Sequence, residues 1–165
     1  MATPDFILRL RRSIGNDLLC LPGVSMVVHD DAGRVLLGRR ADTGHWSIPG
    51  GIPEPGEQPA QTAVREVLEE TAVRCVAVRV LLVQTLPPTV YPNGDQVQFT
   101  DIAVHCRAVG GEARVNDDES LEVGWFGPDE LPPGLSEFAL ERIRLAGDDL
   151  PTWFEPAGPV PAVGG

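Results

Sequence analysis

Between Gly51 and Val73 the chain reads GIPEPGEQPAQTAVREVLEETAV, and no other stretch restricts its fold as much. Pro59 suits the first position of a helix, where a missing N–H costs nothing. The residues after it predict a helix from about Pro59 to Thr71. Ala60, Ala63, Val64, Val67 and Leu68 recur at the spacing of an apolar stripe turned to a core. Glu66, Glu69 and Glu70 share another face, where like charges repel by roughly 0.2–0.5 kcal/mol per pair. Arg65 and Arg74 are expected to lie beside this cluster or beyond the helix. A divalent cation held by oxygen ligands compensates it better; a solvated acidic face is the plainer alternative. Just before the stretch, Pro49-Gly50-Gly51 reads as a turn. Gly-Gly allows backbone angles that other residues resist and lets a carbonyl come close to a metal.

The chain has 165 residues, enough for one domain with its own core. No apolar run reaches bilayer length, and Asp5 and three arginines interrupt any leader-like pattern, so a cytoplasmic location is expected. The net charge of −11 argues against a nucleic-acid backbone as the main partner, and no membrane partner is expected either. It leaves small phosphates open, because metals screen the repulsion. All thirteen basic residues are arginine, so neither a Schiff-base lysine nor a P-loop lysine is available. Cys20, Cys75 and Cys106 are far apart in apolar stretches and are expected to be buried, reduced thiols.

In order along the chain, Phe6–Ile14 predicts a short amphipathic helix with Phe6, Leu10 and Ile14 inward and Arg9, Arg11 and Arg12 outward. It would be a lid on the core, a dimer contact or a phosphate-facing arm. Residues 1–20 are read as this arm, 21–147 as the domain and 148–165 as an irregular Pro/Gly-rich tail in which Trp153-Phe154 docks on the body. Val24–His29 and Val35–Leu37 predict a hairpin. Arg39 and Arg40 follow it, either solvated or on substrate phosphate. Cys75–Leu86 and Gln96–Arg107 predict two longer strands, separated by a turn at Tyr91–Asp95. Val97 and Phe99 share one phase, whereas Ile102, Val104 and Cys106 take the other. Either a bulge sits at Thr100-Asp101 or the second half is buried on both faces. An acidic loop at Asn116–Glu119, a short strand at Leu121–Phe126 and a helix over about Glu137–Ala146, capped by Ser136, complete the order. Only one helix separates strands in a crossover, so the chain should be α/β, with a mixed sheet and helices on two faces.

The spacing Gly51, five residues, Glu57, seven residues, Arg65-Glu66-Val67-Leu68-Glu69-Glu70, one residue, Ala72, Val73 resembles the Nudix box, G-x5-E-x7-R-E-U-x-E-E-x-G-U with U apolar. Ala72 departs from it, standing where the pattern has glycine. About 20–146 looks like the surroundings typical of that MutT-like family. The resemblance implies an α/β/α sandwich around a mixed β-sheet and hydrolysis of a nucleoside diphosphate linked to another moiety, with Mg²⁺ or Mn²⁺. It implies Glu66, Glu69 and Glu70 as metal ligands, with a carbonyl of Gly51 or Gly50, and Glu57 and Arg65 as a brace between loop and helix. The proton acceptor would be a box glutamate, Glu69 or Glu70, or a later loop residue, Glu119 ahead of Glu122. Alanine at position 72 should cost roughly 1 kcal/mol in a left-handed helix end and is expected to alter that end slightly.

The box does not set the substrate. Tyr91 lies eighteen residues past Val73, a spacing that resembles the diadenosine polyphosphate subgroup. Pro88 falls one short of the proline spacing of ADP-ribose hydrolases. Arg39, Arg40, Trp46 and Tyr91 are the candidate substrate contacts, although Trp46 also suits core packing. The partner expected is a nucleotide-derived small molecule, and a homodimer is compatible with the resemblance. The rival to an enzyme is a nucleotide-binding sensor of the same fold without turnover.

Overall fold

The computed structural model of the protein describes residues 4–147 and 150–156. At its centre β1 (Leu19–His29) and β7 (Gln96–Gly111) run parallel, in unbroken register from Leu19 opposite Val97 to His29 opposite Arg107. The period-two rule of a strand sends Val24, Met26 and Val28 to one face and Val27 to the other, and all four are buried. That explains an apolar run without alternation. β5 (Val73–Thr85) lies antiparallel to β7. The other edge of β1 is shared by β4 (Gly50–Gly51), opposite Val24 and Ser25, and by β2 (Val35–Arg40), at His29. β2 continues to β3 (Trp46–Ser47) and β8 (Ser120–Phe126). β6 (Thr89–Val90) folds back on β7.

Helix α2 (Pro59–Thr71) covers one face, over Met26, Val28, Leu36, Val104 and Cys106. Helix α3 (Glu137–Gly147) covers the other, over Val27, Leu37, Leu82 and Ala103. Helix α1 (Asp5–Ile14) closes the start of β1 and β7 through Ile7, Leu21 and Val97. The result is the expected α/β/α sandwich around a mixed sheet. No helix among the described residues is long and apolar enough to cross a membrane.

Four details differ from the sequence reading. In α1 the inward residue is Ile7, while Leu10 is exposed, so the helix is rotated from the expected face. β1 starts before Val24 despite Pro22-Gly23, because its first residues pair with β7. The phase change at Thr100-Asp101 is not a bulge in β7, whose register with β1 is continuous. Its second half is buried on both faces, by Asp101 and Ala103 on one side and Val104 and Cys106 on the other, and the extra residues of the β5–β7 ladder are Val78 and Leu81 on β5 and Val109 on β7, away from Thr100-Asp101. Cys75 and Cys106 are buried, whereas Cys20 is exposed. In the tail, β9 (Trp153–Phe154) lies parallel to β5 at Leu82 and Val83. Thr152 Oγ1 donates to the Val80 carbonyl at 2.9 Å. The rest of that tail, 148–149 and 157–165, lies outside the described residues.

The α3 layer holds one polar network that the sequence reading did not anticipate. Arg142, fully buried, donates from Nε and Nη2 to Asp101 Oδ2 at 2.9 and 2.7 Å, and from Nη1 to the Phe138 carbonyl at 3.0 Å. Ser25 Oγ donates to the same Asp101 oxygen at 2.9 Å. Burial pushes the Asp101 carboxyl up, and Arg142 opposes that push.

Candidate active site

The acidic cluster is built by the way α2 meets the Gly50-Gly51 turn. The helix starts with a capping box in which Gln58 and Gln61 satisfy each other's backbone N–H groups. Its buried residues are Thr62, Ala63, Glu66, Val67 and Thr71, while Ala60, Val64 and Leu68 are exposed. The expected apolar stripe is therefore only half right, and the helix turns Glu66 toward the sheet. Gly51 explains how this is possible. A Cβ built there would stand 2.0 Å from Glu66 Oε1, so the glycine vacates the place the carboxylate fills.

Arg65 fixes the rotation. Its Nε and Nη2 donate to the two oxygens of Glu57 at 2.7 and 2.8 Å, a fork-to-fork pair. Nη2 also reaches the Ile52 carbonyl at 3.3 Å. Glu57 accepts further bonds from the Glu54 N–H at 3.0 Å and Thr62 Oγ1 at 2.9 Å. Led by the Arg65 hydrogen bond, these contacts hold the Glu57 carboxyl down at about 2. Arg65 does not merely flank the glutamates, as its position in the sequence suggested. Its Nη1 lies 2.9 Å from Glu66 Oε1 and 3.1 Å from Glu69 Oε2.

Glu70 is the glutamate of the three that Arg65 does not reach. Burial first, then the charges of Glu66 and Asp117, push its carboxyl up to about 8, against a hydrogen bond from the Gly50 backbone. Burial also raises Glu66, with Arg65 opposing. Among the described residues no three His, Cys, Asp or Glu side chains converge on one point, and Arg65 Nη1 bridges two of the three glutamates, Glu66 and Glu69. The donor set is nevertheless all oxygen: carboxylates of Glu66, Glu69 and Glu70 beside the backbone of Gly50 and Gly51. This chemistry fits a hard divalent cation such as Mg²⁺ or Mn²⁺.

The rim is assembled from three further segments. Ala72 ends α2 at φ 58°, ψ 12°, with its N–H on the Leu68 carbonyl, so the helix end is an ordinary left-handed one, not an altered one. The loop that follows β7 is fastened to this helix end. Asn116 Nδ2 donates to the Leu68 and Glu69 carbonyls at 3.1 Å each, and the Asn116 N–H to the Glu70 carbonyl at 3.2 Å. Asp117 then accepts from the N–H groups of Glu119 and Ser120 at 3.2 Å. Its charge reaches Glu70, a role that the sequence reading assigns in this loop only to Glu119. An Asx residue two places before Glu119 was the available signal. Glu119 is half-buried and its carbonyl takes the Ala41 N–H at 2.7 Å. Its rival Glu122 is paired with Arg39 at 2.6 Å.

The candidate substrate contacts do not all gather here. Arg40 is gripped by Asp42 through two bonds of 2.9 and 2.5 Å. Asp42 first, and then Glu70 and Tyr91, hold its guanidinium charged, so Arg40 lies within electrostatic reach of both. Tyr91 stands exposed at the start of a turn closed by its N–H on the Asp95 carbonyl at 2.9 Å. Trp46 packs instead on Phe126, edge to face at 4.9 Å, in the cluster under α3. The structure does not bring it to the glutamates.

A family model described as the NUDIX domain matches residues 21–146. A MutT-like protein of Streptomyces ambofaciens is 38% identical over 123 residues, 74% of this chain and 73% of its own length. The NAD-capped RNA hydrolase NudC of Pseudomonas putida (strain W619) is 34% identical over 122 residues, 71% of this chain but 41% of that longer protein. Among solved structures, an ADP-ribose pyrophosphatase from Streptococcus suis superposes with a TM-score of 0.62 at 24% identity, over 82% of this chain and 98% of that one. At that identity the likeness speaks for the fold. With most of the chain matched by the family model, and Glu66 and Glu70 of the box set against the Gly-Gly turn, the chain belongs to the NUDIX family and is a hydrolase of phosphoanhydride bonds.

Proposed function

We propose that the protein is a divalent-metal-dependent pyrophosphohydrolase that cleaves a nucleoside diphosphate linked to another moiety. The observation that carries this reading is the meeting of the glutamate helix with the Gly-Gly turn: Glu66 fills the place that Gly51 leaves empty, and Glu70, beside the Gly50 backbone, has its carboxyl pushed up by burial and by Glu66 and Asp117. A group in that state is stabilised by a cation. Glu66, Glu69, Glu70 and a carbonyl of Gly51 or Gly50 would hold Mg²⁺ or Mn²⁺. When bound, the metal supplies neutralisation of the diphosphate and a lowered pKa for water. Arg40, within electrostatic reach of Glu70, orients a phosphate. Glu69, Glu70 or Glu119 accepts the proton of the attacking water, and Asp117 joins them as a candidate on its proximity to Glu70. Glu57 and Arg65 brace the loop and helix and take no part in the chemistry.

Three members of this set come from one helix, and a screen tests them together. Nucleoside triphosphates, dinucleoside polyphosphates, ADP-ribose, sugar nucleotides and NAD-capped RNA are incubated with Mg²⁺ and the wild-type chain or Glu70→Gln. The expected result is Mg²⁺-dependent hydrolysis of at least one compound, lost by 10²-fold or more in Glu70→Gln. Equal turnover in both proteins would remove Glu70 from the site. Tight binding of one compound without turnover would make the protein a nucleotide sensor.

A further inference from the structure

Helix α1 precedes the residues matched by the family model, which begin at 21. It nevertheless shares an apolar cluster with Ile52, beside the Gly-Gly turn, and is bonded to the hairpin that carries Tyr91. Its apolar side, Ile7 with Phe6, packs in one cluster with Ile52, the residue after Gly51. That same Ile52 offers its carbonyl to Arg65. Its polar contact is Arg11, whose side chain is only 10% exposed although it is an arginine on a terminal helix. Arg11 Nη2 donates to the Gln96 carbonyl at 2.8 Å. Nη1 donates to the carbonyls of Gly15 and Asp17 at 3.1 and 2.7 Å. Nε lies 3.4 Å from Asp95 Oδ1, and it is the buried side-chain nitrogen that finds no aligned acceptor among the described residues.

Asp95 and Gln96 close the hairpin of β6 and β7, and Tyr91 is at its tip. The Tyr91 N–H and carbonyl bond Asp95 and Gly94 at 2.9 Å each, and Val90 pairs with Gln96. Gly94 is pressed so close to Asn16 that a Cβ there would stand 2.7 Å from Asn16 Nδ2. Gln96 Nε2 donates to the Asn16 carbonyl at 3.3 Å. A free hairpin tip is usually the most mobile part of such a sheet. This one is bolted to a helix by a buried guanidinium that gives up its hydration to do so.

We propose that α1 is a working part of the substrate site: Arg11 is a positioning residue that holds the Tyr91 hairpin at a fixed distance from the Gly51–Ile52 turn. The inference rests on the hydrolase reading given above. Arg40, within electrostatic reach of both Tyr91 and Glu70, links this hairpin to the glutamates. Arg11 touches no substrate. It acts by sparing Tyr91 the entropy of being ordered when substrate binds, which appears in KM and leaves kcat alone.

The test uses the full chain with Mg²⁺ and four variants: Arg11→Met, which keeps the apolar stem, Arg11→Lys, Tyr91→Ala, and the double variant Arg11→Met/Tyr91→Ala. The probes are diadenosine tetraphosphate, ADP-ribose and dGTP, and amide hydrogen exchange over 89–97 is followed in parallel. For the probe that the wild type turns over, Arg11→Met is expected to raise KM by fivefold or more with kcat within twofold. Arg11→Lys should recover part of the loss. The double variant should be no worse than Tyr91→Ala alone, because the two residues act through one contact. Exchange over 89–97 should quicken in Arg11→Met while 137–147 is unchanged. An unchanged KM, additive losses in the double variant, or unaltered exchange over 89–97 overturns the clamp while leaving the hydrolase reading in place. Failure of the wild type to turn over any probe here or any compound of the screen above overturns that reading, and the clamp with it.

Discussion

Ala72 sits where a side chain is a burden. It is the non-glycine residue with positive φ among those described, and its Cβ is crowded by its own carbonyl in that conformation. Replacing it by glycine removes roughly 1 kcal/mol of strain but returns conformational freedom to the unfolded chain, which offsets part of the gain. Ala72→Gly should therefore raise the thermal midpoint, with a gain of about 0.5 kcal/mol, and change turnover by less than tenfold. The backbone of the helix end is already in the left-handed form, so glycine has nothing to rearrange there. A tenfold or larger change in rate would mean that the alanine methyl, not the backbone, shapes the site. Gly51 shows the opposite case, a position where any side chain at all would fall on Glu66.

Between α2 and the loop before it, the Glu57–Arg65 lock has a sign that can be read against pH. The Glu57 carboxyl is held at about 2, below its ordinary 4.5. A carboxyl depressed in the fold contributes stability above its unfolded value and loses it as pH falls toward the folded one. The gap in thermal midpoint between wild type and Glu57→Gln should thus be largest above pH 4.5 and narrow progressively between 4.5 and about 2. A gap that widens on acidification would contradict the lock. The span of this helix, Pro59–Thr71, was legible because Pro59 and the periodicity bear on local backbone. Which face turned inward was not. Val64 and Leu68 outrank Thr62 and Glu66 on hydrophobicity, and the balance is tipped by contacts from outside the helix, at Gly51, Ile52 and Glu57. The same limit hid Asp117, whose place beside Glu70 depends on Asn116 reaching back to carbonyls forty-seven and forty-eight residues away. Order and type of elements are written in short-range pattern. The approach of one segment to another is written only in the assembled fold.

At the scale of the whole molecule, two helical layers are joined to one sheet by different means. The α2 side relies on the Arg65 lock over an apolar cluster. The α3 side relies on Arg142, which joins α3 to β7 at Asp101 and to β1 at Ser25 through buried hydrogen bonds, including one of 3.3 Å to Ser25 Oγ. Removing one member of a buried ion pair leaves the other charge unpaired and costs about 3–5 kcal/mol. Arg142→Met should destabilise the chain by that amount in denaturant titration, and Arg142→Met/Asp101→Leu should recover most of it. No recovery would show that the layer needs the charges themselves.

The central pair of strands also sets an order of events. β1 and β7 lie side by side along the whole length of β1, yet partners such as Cys20 and Gln98 are 78 residues apart in the chain. Pairings of such long range are slow, because the loop between them must close before any contact repays it. On a ribosome the hairpin, the Gly-Gly turn and the entire glutamate helix emerge before β7 exists. Until β7 is made, β1 has no neighbour along one edge, and the apolar faces of β1 and α2 stay partly open to water, the state in which growing chains aggregate or meet chaperones. A fragment ending before β7 would carry every glutamate of the box and lack the strand that holds the sheet beneath them. The residues that give this protein its chemistry are synthesised early, and the frame that aligns them is completed late.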